Sequence, residues 1–201
     1  MPRKVDHDER RRHIVGALLR IAGTQGLDAV SMREVAQEAG VSLGAVQHYF
    51  ASKDAMLLHA LEQWLNLDVH RSFAERIRAR VVREPAATPL ATLRAVAAEY
   101  LPHDDATSLE ARVGLAFQSR AAVTPALAAA LVPAYTGFVD TLRGILQHNG
   151  RPLDPDTAAR ELAALLDGLR HPVLIGALPY ADALSIVDGH LTRLLTHERR
   201  A

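Results

Sequence analysis

Residues 31–57 read SMREVAQEAGVSLGAVQHYFASKDAML. Ser31 is followed three residues later by Glu34, a pattern in which each side chain can satisfy the other residue's free backbone N–H at a helix start. The helix it opens is short, because Gly40 can supply the left-handed residue that ends a helix. Ser42 caps a second short helix, through about Tyr49, and Ser52 caps a third. Val35, Ala36, Ala39, Val41 and Val46 are placed to pack the two short helices on each other and on the helix before them, and the small Ala36 and Ala39 permit a close crossing. Two short capped helices joined by a glycine turn form a helix-turn-helix pattern.

Outward from this stretch the helical grammar continues. Upstream, Asp6 begins D-x-x-E with Glu9, and Ile14, Ala17, Leu18 and Ile21 share one helical face that ends near Gly26. Downstream, Met56, Leu57, Ala60, Leu61, Trp64, Leu65 and Val69 keep helical spacing, so the helix begun at Ser52 is expected to run to about Arg83. Thr88-Pro89, Thr124-Pro125 and Asp154-Pro155 each place a cap residue before proline at the first helical position, where the missing N–H costs nothing. A further helix is expected over about 107–121 and a last one from near Pro179, and Arg170-His171-Pro172 should end or kink the helix before it. The sum is an all-α chain of about nine helices. Composition agrees: 35 Ala and 29 Leu stand against 16 Val and 6 Ile, with 4% aromatics, and Ala and Leu favour helix where β-branched and aromatic residues favour strand. Ala121 to Val139 carries no formal charge over 19 residues. Its Pro, Thr and Gly residues and its many alanines make it weakly hydrophobic for a membrane span, and it is expected to be a buried helix.

With no cysteine among 201 residues, disulfides, thiolate zinc sites and cysteine nucleophiles are excluded. Lys+Arg and Asp+Glu are 23 each, which rules out a uniformly basic nucleic-acid coat but not a local basic surface. Residues 1–53 hold 8 basic and 6 acidic side chains, and residues 54–201 hold 15 and 17, a basic head on an acidic body. In that head the second short helix presents Leu43, Gly44, Ala45, Gln47, His48 and Tyr49 beside Ser42. It carries no acid and suits a major groove ~12 Å wide. Ser31 with the helix N–H groups beside it, Lys53, and an arm of Arg3, Lys4 and Arg10–Arg12 are expected to meet phosphates. Arg33 could meet a phosphate or a guanine edge. The ten histidines are scattered without ligand spacing, so no metal and no cofactor are expected. No phosphate-cradling glycine loop or nucleophile elbow is present, and no enzyme activity is expected.

The combination of Gly26, Ser31, the turn Ala36, Gly40, Val41, Ser42, then Gly44 and the ending Tyr49-Phe50-x-Ser52-Lys53 resembles the DNA-binding segment of the TetR family of bacterial transcriptional repressors. The motif covers roughly residues 10–60, and the rest is similar by architecture. Many members place tyrosine where this chain has Gln47, followed by an aromatic residue and a histidine at His48 and Tyr49. The ending QHYF, the segment LPHDDATSLEARVGLAFQSRAAVTPALAAAL and the later LLDGL resemble, more loosely, the choline-responsive BetI-type subgroup. Choline is not carried over, because a quaternary ammonium usually needs an aromatic cage and the aromatics here are few.

The absence of a visible export signal and of cysteine fits a cytoplasmic protein, and the resemblance implies a ligand-responsive repressor, with a DNA-binding domain over 1–53 and an effector-binding and dimerisation domain over 54–201. It implies a homodimer on a palindromic double-stranded operator and an apolar or amphipathic effector. A membrane partner is not expected. The dimer is expected to form as a four-helix bundle from the stripe Leu162, Leu165, Leu166 and Leu169 and the stripe Leu184, Val187, Leu191 and Leu194, unless those stripes fill the core of a single chain. Trp64, Tyr100, Gln118, Tyr135 and His171 are the effector candidates that join an apolar body to a polar tip. Phe117 and Phe138 would supply walls, and Asp167 a polar anchor. Effector binding would move the helix that begins beside Lys53 and change the spacing of the two heads. Two alternatives stay open: a regulator without a small-molecule switch, and a small-molecule-binding protein or enzyme with an incidental helix-turn-helix.

Overall fold

The computed structural model describes residues 7–66, 69–83, 88–147 and 154–196, all in helices and their connections. Ten α-helices follow one another: α1 His7–Gln25, α2 Met32–Glu38, α3 Leu43–Tyr49, α4 Lys53–Asn66, α5 Val69–Arg83, α6 Pro89–Tyr100, α7 Asp105–Ala121, α8 Pro125–Gln147, α9 Pro155–Leu174 and α10 Tyr180–Thr196, with a single 3-10 turn at Leu27–Ala29. Among the described residues there is no strand. Arg3, Lys4 and the Asp6 cap lie outside them.

Five of the described helices start on the expected caps. Ser31, Ser42 and Ser52 each accept, at 3.1 Å, the backbone N–H three residues on. Thr88 accepts from Ala91 at 3.2 Å, and Asp154 from Asp156 and Thr157. Asp104, whose pairing with Asp105 reads as a helix-start signal, is a further cap: its carboxylate accepts the Thr107 N–H at 2.7 Å, and α7 begins at Asp105, two residues before the expected 107. α2 ends in a Schellman turn: Gly40 has φ +64, its N–H bonds Gln37 O, and the Val41 N–H bonds Ala36 O.

Three expectations are corrected. The helix from Ser52 does not continue to Arg83: α4 ends at Asn66 and α5 begins at Val69. In the sequence Asn66, which ends α4, and Asp68 are poor helix formers. α9 is not ended by Pro172. It runs two residues past the proline and stops at a second Schellman turn, with Gly176 at φ +74 and the Ala177 N–H on Pro172 O. In the last turn of a helix a proline removes only one hydrogen bond, so the glycine sets the end. The apolar stretch of α8 is mostly open, not buried: 17% of it is covered and Val132 is 61% exposed, although Leu127, Val139, Leu142 and Leu146 of the same helix are buried. By length and composition alone α8 could cross a membrane.

The chain forms two compact units. The first comprises residues 1–68 and 112–131, so the unit that holds the helix-turn-helix reaches beyond residue 53 and takes in the C-terminal half of α7. Its core joins Ile14, Leu18, Val35, Val46, Phe50, Met56 and Leu61 to Val113 and Phe117. Phe117 is fully buried, with Trp64 stacked on it at 6.4 Å and 28°. The second unit comprises residues 69–111 and 132–201. Its core is built from Leu93, Val96, Leu101, Leu142, Leu146, Leu162, Leu166, Val187 and Leu191. Within it Glu99, 5% exposed, accepts from Arg76 at 2.8 Å and from Arg80, and Arg76 also reaches Glu110 at 2.9 Å. A buried carboxylate is tolerated only when so paired, and these pairs tie α5 to α6 and α7. Burial raises the Tyr180 hydroxyl above its ordinary range, with Arg80 opposing, and that hydroxyl donates to Ala98 O at 2.9 Å.

Candidate nucleic-acid interface and effector site

In the first unit, the apolar sides of α2 and α3 are spent on the core. Val35, Ala36, Ala39 and Val46 are buried and Val41 packs beside them, which leaves the opposite side of α3 free. Ser42, Gly44, Gln47 and His48 are exposed there, and Leu43, Ala45 and Tyr49 are half-buried. The capped N-terminus of α3 presents unpaired backbone N–H groups, and the helix carries no acidic side chain. Arg33 on α2 is exposed beside the half-buried Ser31. α1 holds the pair in place: His13 Nε2 lies 2.7 Å from Ala39 O, and Arg20 reaches Glu38 at 2.7 Å.

The C-terminal end of α3 is enclosed by aromatic and basic side chains from α1. The Tyr49 hydroxyl lies 3.1 Å from His7 Nδ1, the Arg11 guanidinium stands 5.9 Å over the Tyr49 ring, and His48 meets that ring edge-on at 5.1 Å. His7 and Arg11 therefore join Tyr49 and His48 in one patch. Arg11 was foreseen only as part of a basic arm, and its pairing with a ring 38 positions later left no trace in local spacing. Lys53, in the first turn of α4, places its ammonium 3.5 Å from Leu27 O. That contact leaves other N–H donors of the ammonium for an anion.

The effector candidates fall into both units. In the first are the stacked pair Trp64 and Phe117, with Gln118 exposed. In the second, Tyr100, Phe138 and Asp167 come together. Tyr100 donates its hydroxyl to Asp167, stacks on Phe138 at 4.9 Å and 12°, and meets Phe73 edge-on at 6.3 Å. Burial drives the Tyr100 hydroxyl far above its ordinary pKa, with Arg170 opposing and Asp167 and Tyr135 adding to the rise. Tyr135 is 45% exposed and His171 exposed. A residue outside the candidate set completes the cluster: the Arg170 guanidinium lies over the Tyr100 ring, 4.3 Å from its centroid. A cleft of about 300 Å³ lies elsewhere in this unit, lined by Arg80, Ala91, Arg94, Ala98, Leu184 and Asp188. Its two arginines are paired with Glu99 and Asp188.

The two leucine stripes serve the interior of one chain. Leu162, Leu166, Leu169, Val187 and Leu191 are buried in it, and Leu165, Leu184 and Leu194 pack at its margin. Leu162, Leu166, Leu169, Val187 and Leu191 are covered by their own chain and are not free to meet a partner, whereas Leu165, Leu184 and Leu194 stay partly open. The other sides of the same helices are open: Ala164, Gly168 and His171 on α9 with Ile175 just past its end, and Ser185, Ile186 and Arg193 on α10.

Comparison with known proteins agrees with the architecture. Residues 14–60 match the tetR family of bacterial regulatory proteins, and residues 89–196 match the C-terminal domain of BetI-type transcriptional repressors. The chain is 32% identical over 184 residues to the HTH-type transcriptional regulator BetI of Agrobacterium fabrum, covering 90% of this chain and 85% of that one. A crystal structure of a transcriptional regulator from Rhodococcus sp. Rha1 superposes with a TM-score of 0.75 at 33% identity, over 92% of this chain and 95% of that one. The multidrug binding protein EbrR, crystallised with ethidium, superposes with a TM-score of 0.67 at 30% identity, over 92% of this chain and 98% of that one. With its helix-turn-helix matched by the DNA-binding part of one family and residues 89–196 by a repressor C-terminal domain, this chain belongs to the tetR family of bacterial regulatory proteins and is a DNA-binding transcriptional regulator.

Proposed function

We propose that this regulator is a ligand-responsive repressor that binds a palindromic operator as a homodimer in the cytoplasm. The carrying observation is the free side of α3. It joins hydrogen-bonding side chains, Gln47 and His48, to a small, close-approaching Gly44, and contains no carboxylate. Such a helix enters a major groove, with Gln47 reading base edges and Ser31, Ser42, Tyr49 and Lys53 seated on phosphates. Arg33 serves either role. Among the described residues no acid, base and nucleophile converge to favour the catalytic alternative. Residues 1–53 supply the DNA contacts, and residues 54–201 the effector site and the dimer contact.

Two-fold pairing is assigned to the outer sides of α9 and α10. Ile175 and Ile186 are 63% and 42% exposed there, and the small residues Ala164, Gly168, Ser185 and Gly189 share those sides. Small residues let helices approach closely, and the neighbouring isoleucines supply apolar area. The effector site is assigned to the Tyr100, Phe138 and Asp167 cluster, where stacked rings meet a carboxylate, and a ligand-responsive role is in keeping with the structural neighbour EbrR, which was crystallised with ethidium. α7 has residues in both units, so a shift of α7 on effector binding would carry Phe117 against Trp64 and move α4. The ligand changes operator affinity only by its differential affinity for the two states.

Selection of bound sequences from a random double-stranded pool at near-physiological salt tests the DNA reading. A recovered palindrome is expected. No enrichment by folded, dimeric protein would overturn it. One observation favours a second reading, a regulator with no small-molecule switch: the Tyr100 cluster is already filled by Arg170. Operator affinity that no bound ligand alters would select that reading.

A further inference from the structure

The effector assignment above leaves the chemistry of the ligand open, and the following rests on that assignment. Three aromatic rings, Tyr100, Phe138 and Phe73, meet beside the carboxylate of Asp167. Ring faces and a carboxylate together are the recognition chemistry of an organic cation. The cluster already holds one. The Arg170 guanidinium lies 4.3 Å from the Tyr100 centroid, and its Nε is buried with no hydrogen-bond partner. Among the described residues Arg170 makes no ion pair. Asp167, one helical turn before it on α9, is engaged by the Tyr100 hydroxyl instead.

A guanidinium has five N–H donors in a fixed plane and is stabilised indoors by carboxylates that accept from them. Here, among the described residues, the guanidinium has the Tyr100 ring contact and a buried Nε without a partner, and its remaining N–H groups meet no carboxylate. It is held by the quadrupole of Tyr100 and the nearby charge of Asp167, not by directed bonds. Its side chain is only half-buried, so a few rotations about its flexible stem would take the charge out to water.

We infer that Arg170 is an internal occupant of a cation site, and that the regulator's effector is a planar delocalised cation, of the amidinium or guanidinium type, that displaces it. Charge balance decides between a cation and an anion. With Arg170 in place the cluster holds one negative and one positive group. A cation that replaces the guanidinium preserves that balance against Asp167. An anion recruited by Arg170 would bring a second negative charge beside the carboxylate. Shape decides the class of cation. The space over the Tyr100 ring holds a flat group, and the natural ligand must add apolar area against Phe138 and Phe73 to compete with a tethered group.

Three near-isosteric probes separate the possibilities: benzamidine, a planar cation; benzamide, its neutral counterpart; and benzoate, the anion. Each is titrated calorimetrically into the full-length protein, into Arg170→Ala and Arg170→Gln, and into Arg170→Ala combined with Asp167→Asn. Circular dichroism melts establish that each variant is folded. Two substitutions of Arg170 are used so that failure of one to fold leaves the other to decide. Removing the tethered competitor is expected to tighten benzamidine binding by about tenfold or more. Benzamide and benzoate should gain far less, and Asp167→Asn should cancel the gain. Equal benzamidine affinity with and without Arg170 overturns the inference. So does tight benzoate binding by the unaltered protein that is lost with Arg170, which would make the arginine an anion anchor. The readout is binding to the chain and not release from DNA. Failure here therefore leaves DNA recognition standing, and a protein that selects no operator can still show the benzamidine gain.

Discussion

Gln47 and Lys53 sit six positions apart, and their surroundings assign them different work. Gln47 is exposed on the free side of α3 with a bidentate amide, the group that pairs with an adenine edge. Gln47→Ala should cost about 1–3 kcal/mol on the best site and relax preference at one base pair per half-site; equal losses on all sequences would contradict base reading. Lys53 is a point charge at the start of α4, and one of its donors is directed at Leu27 O. Lys53→Ala should weaken binding to every sequence. It should also flatten the slope of log affinity against log salt by about two for a dimer, and an unchanged slope would remove Lys53 from the phosphate contacts. His190 is a different case. Burial lowers its pKa from the ordinary 6.5, with Glu161 opposing and Arg193 adding to the drop, and its Nε2 has no partner. The unfolded chain therefore takes up this proton more readily than the folded one. The stability linked to this histidine is complete above its ordinary pKa and is lost as pH falls through the lower folded value. Thermal melts of His190→Gln should show a smaller loss of Tm between about pH 7.5 and about pH 5 than the unaltered protein. An identical loss would show that other groups carry the acid sensitivity.

Helix boundaries divide by how far their causes reach along the chain. Ser31, Ser42, Ser52, Thr88 and Asp154 act on backbone two or three residues away, and each cap bond is made as its spacing implied. Gly40 is equally local. At φ +64 an alanine would be strained by about 1 kcal/mol, with open space around the added methyl. Gly40→Ala should lower stability by that amount without a packing penalty. A loss of several kcal/mol in chemical denaturation would mean that the turn is held by more than its backbone. Features that depend on distant partners were not legible. A leucine stripe has the same spacing whether it faces its own chain or another, and Leu162, Leu166, Val187 and Leu191 face their own. The apolar stretch of α8 reads like a core segment, yet burial is a property of what packs on it, and only one side of the helix, with Leu127, Val139, Leu142 and Leu146, is covered. Arg170 could be placed one turn from Asp167, but nothing local joins it to Tyr100, 70 positions earlier.

An operator with two-fold symmetry requires two heads in one molecule, and each α3 alone is only seven residues long. Joining two such readers makes the second contact intramolecular, which raises overall affinity by about 10²–10⁴ without any new DNA contact. The proposed pairing would use surface that a single chain leaves open, which excludes the buried Leu162, Leu166, Leu169, Val187 and Leu191 and favours the outer sides of α9 and α10. Ile186 is the sharpest probe. It is exposed in one chain, so Ile186→Asp should not disturb the fold, yet in a dimer it would bury a carboxylate without a partner, a cost of several kcal/mol. Light scattering should show a protein of one chain with an unchanged far-ultraviolet helical signal. Affinity for the full palindrome should fall at least about a hundredfold, while affinity for an isolated half-site stays as it was. That contrast separates lost pairing from lost folding, because a damaged head would fail on both DNAs. If Ile186→Asp keeps the mass of two chains and the full operator affinity, pairing runs through another surface, and the exposed apolar α8 is where to substitute next.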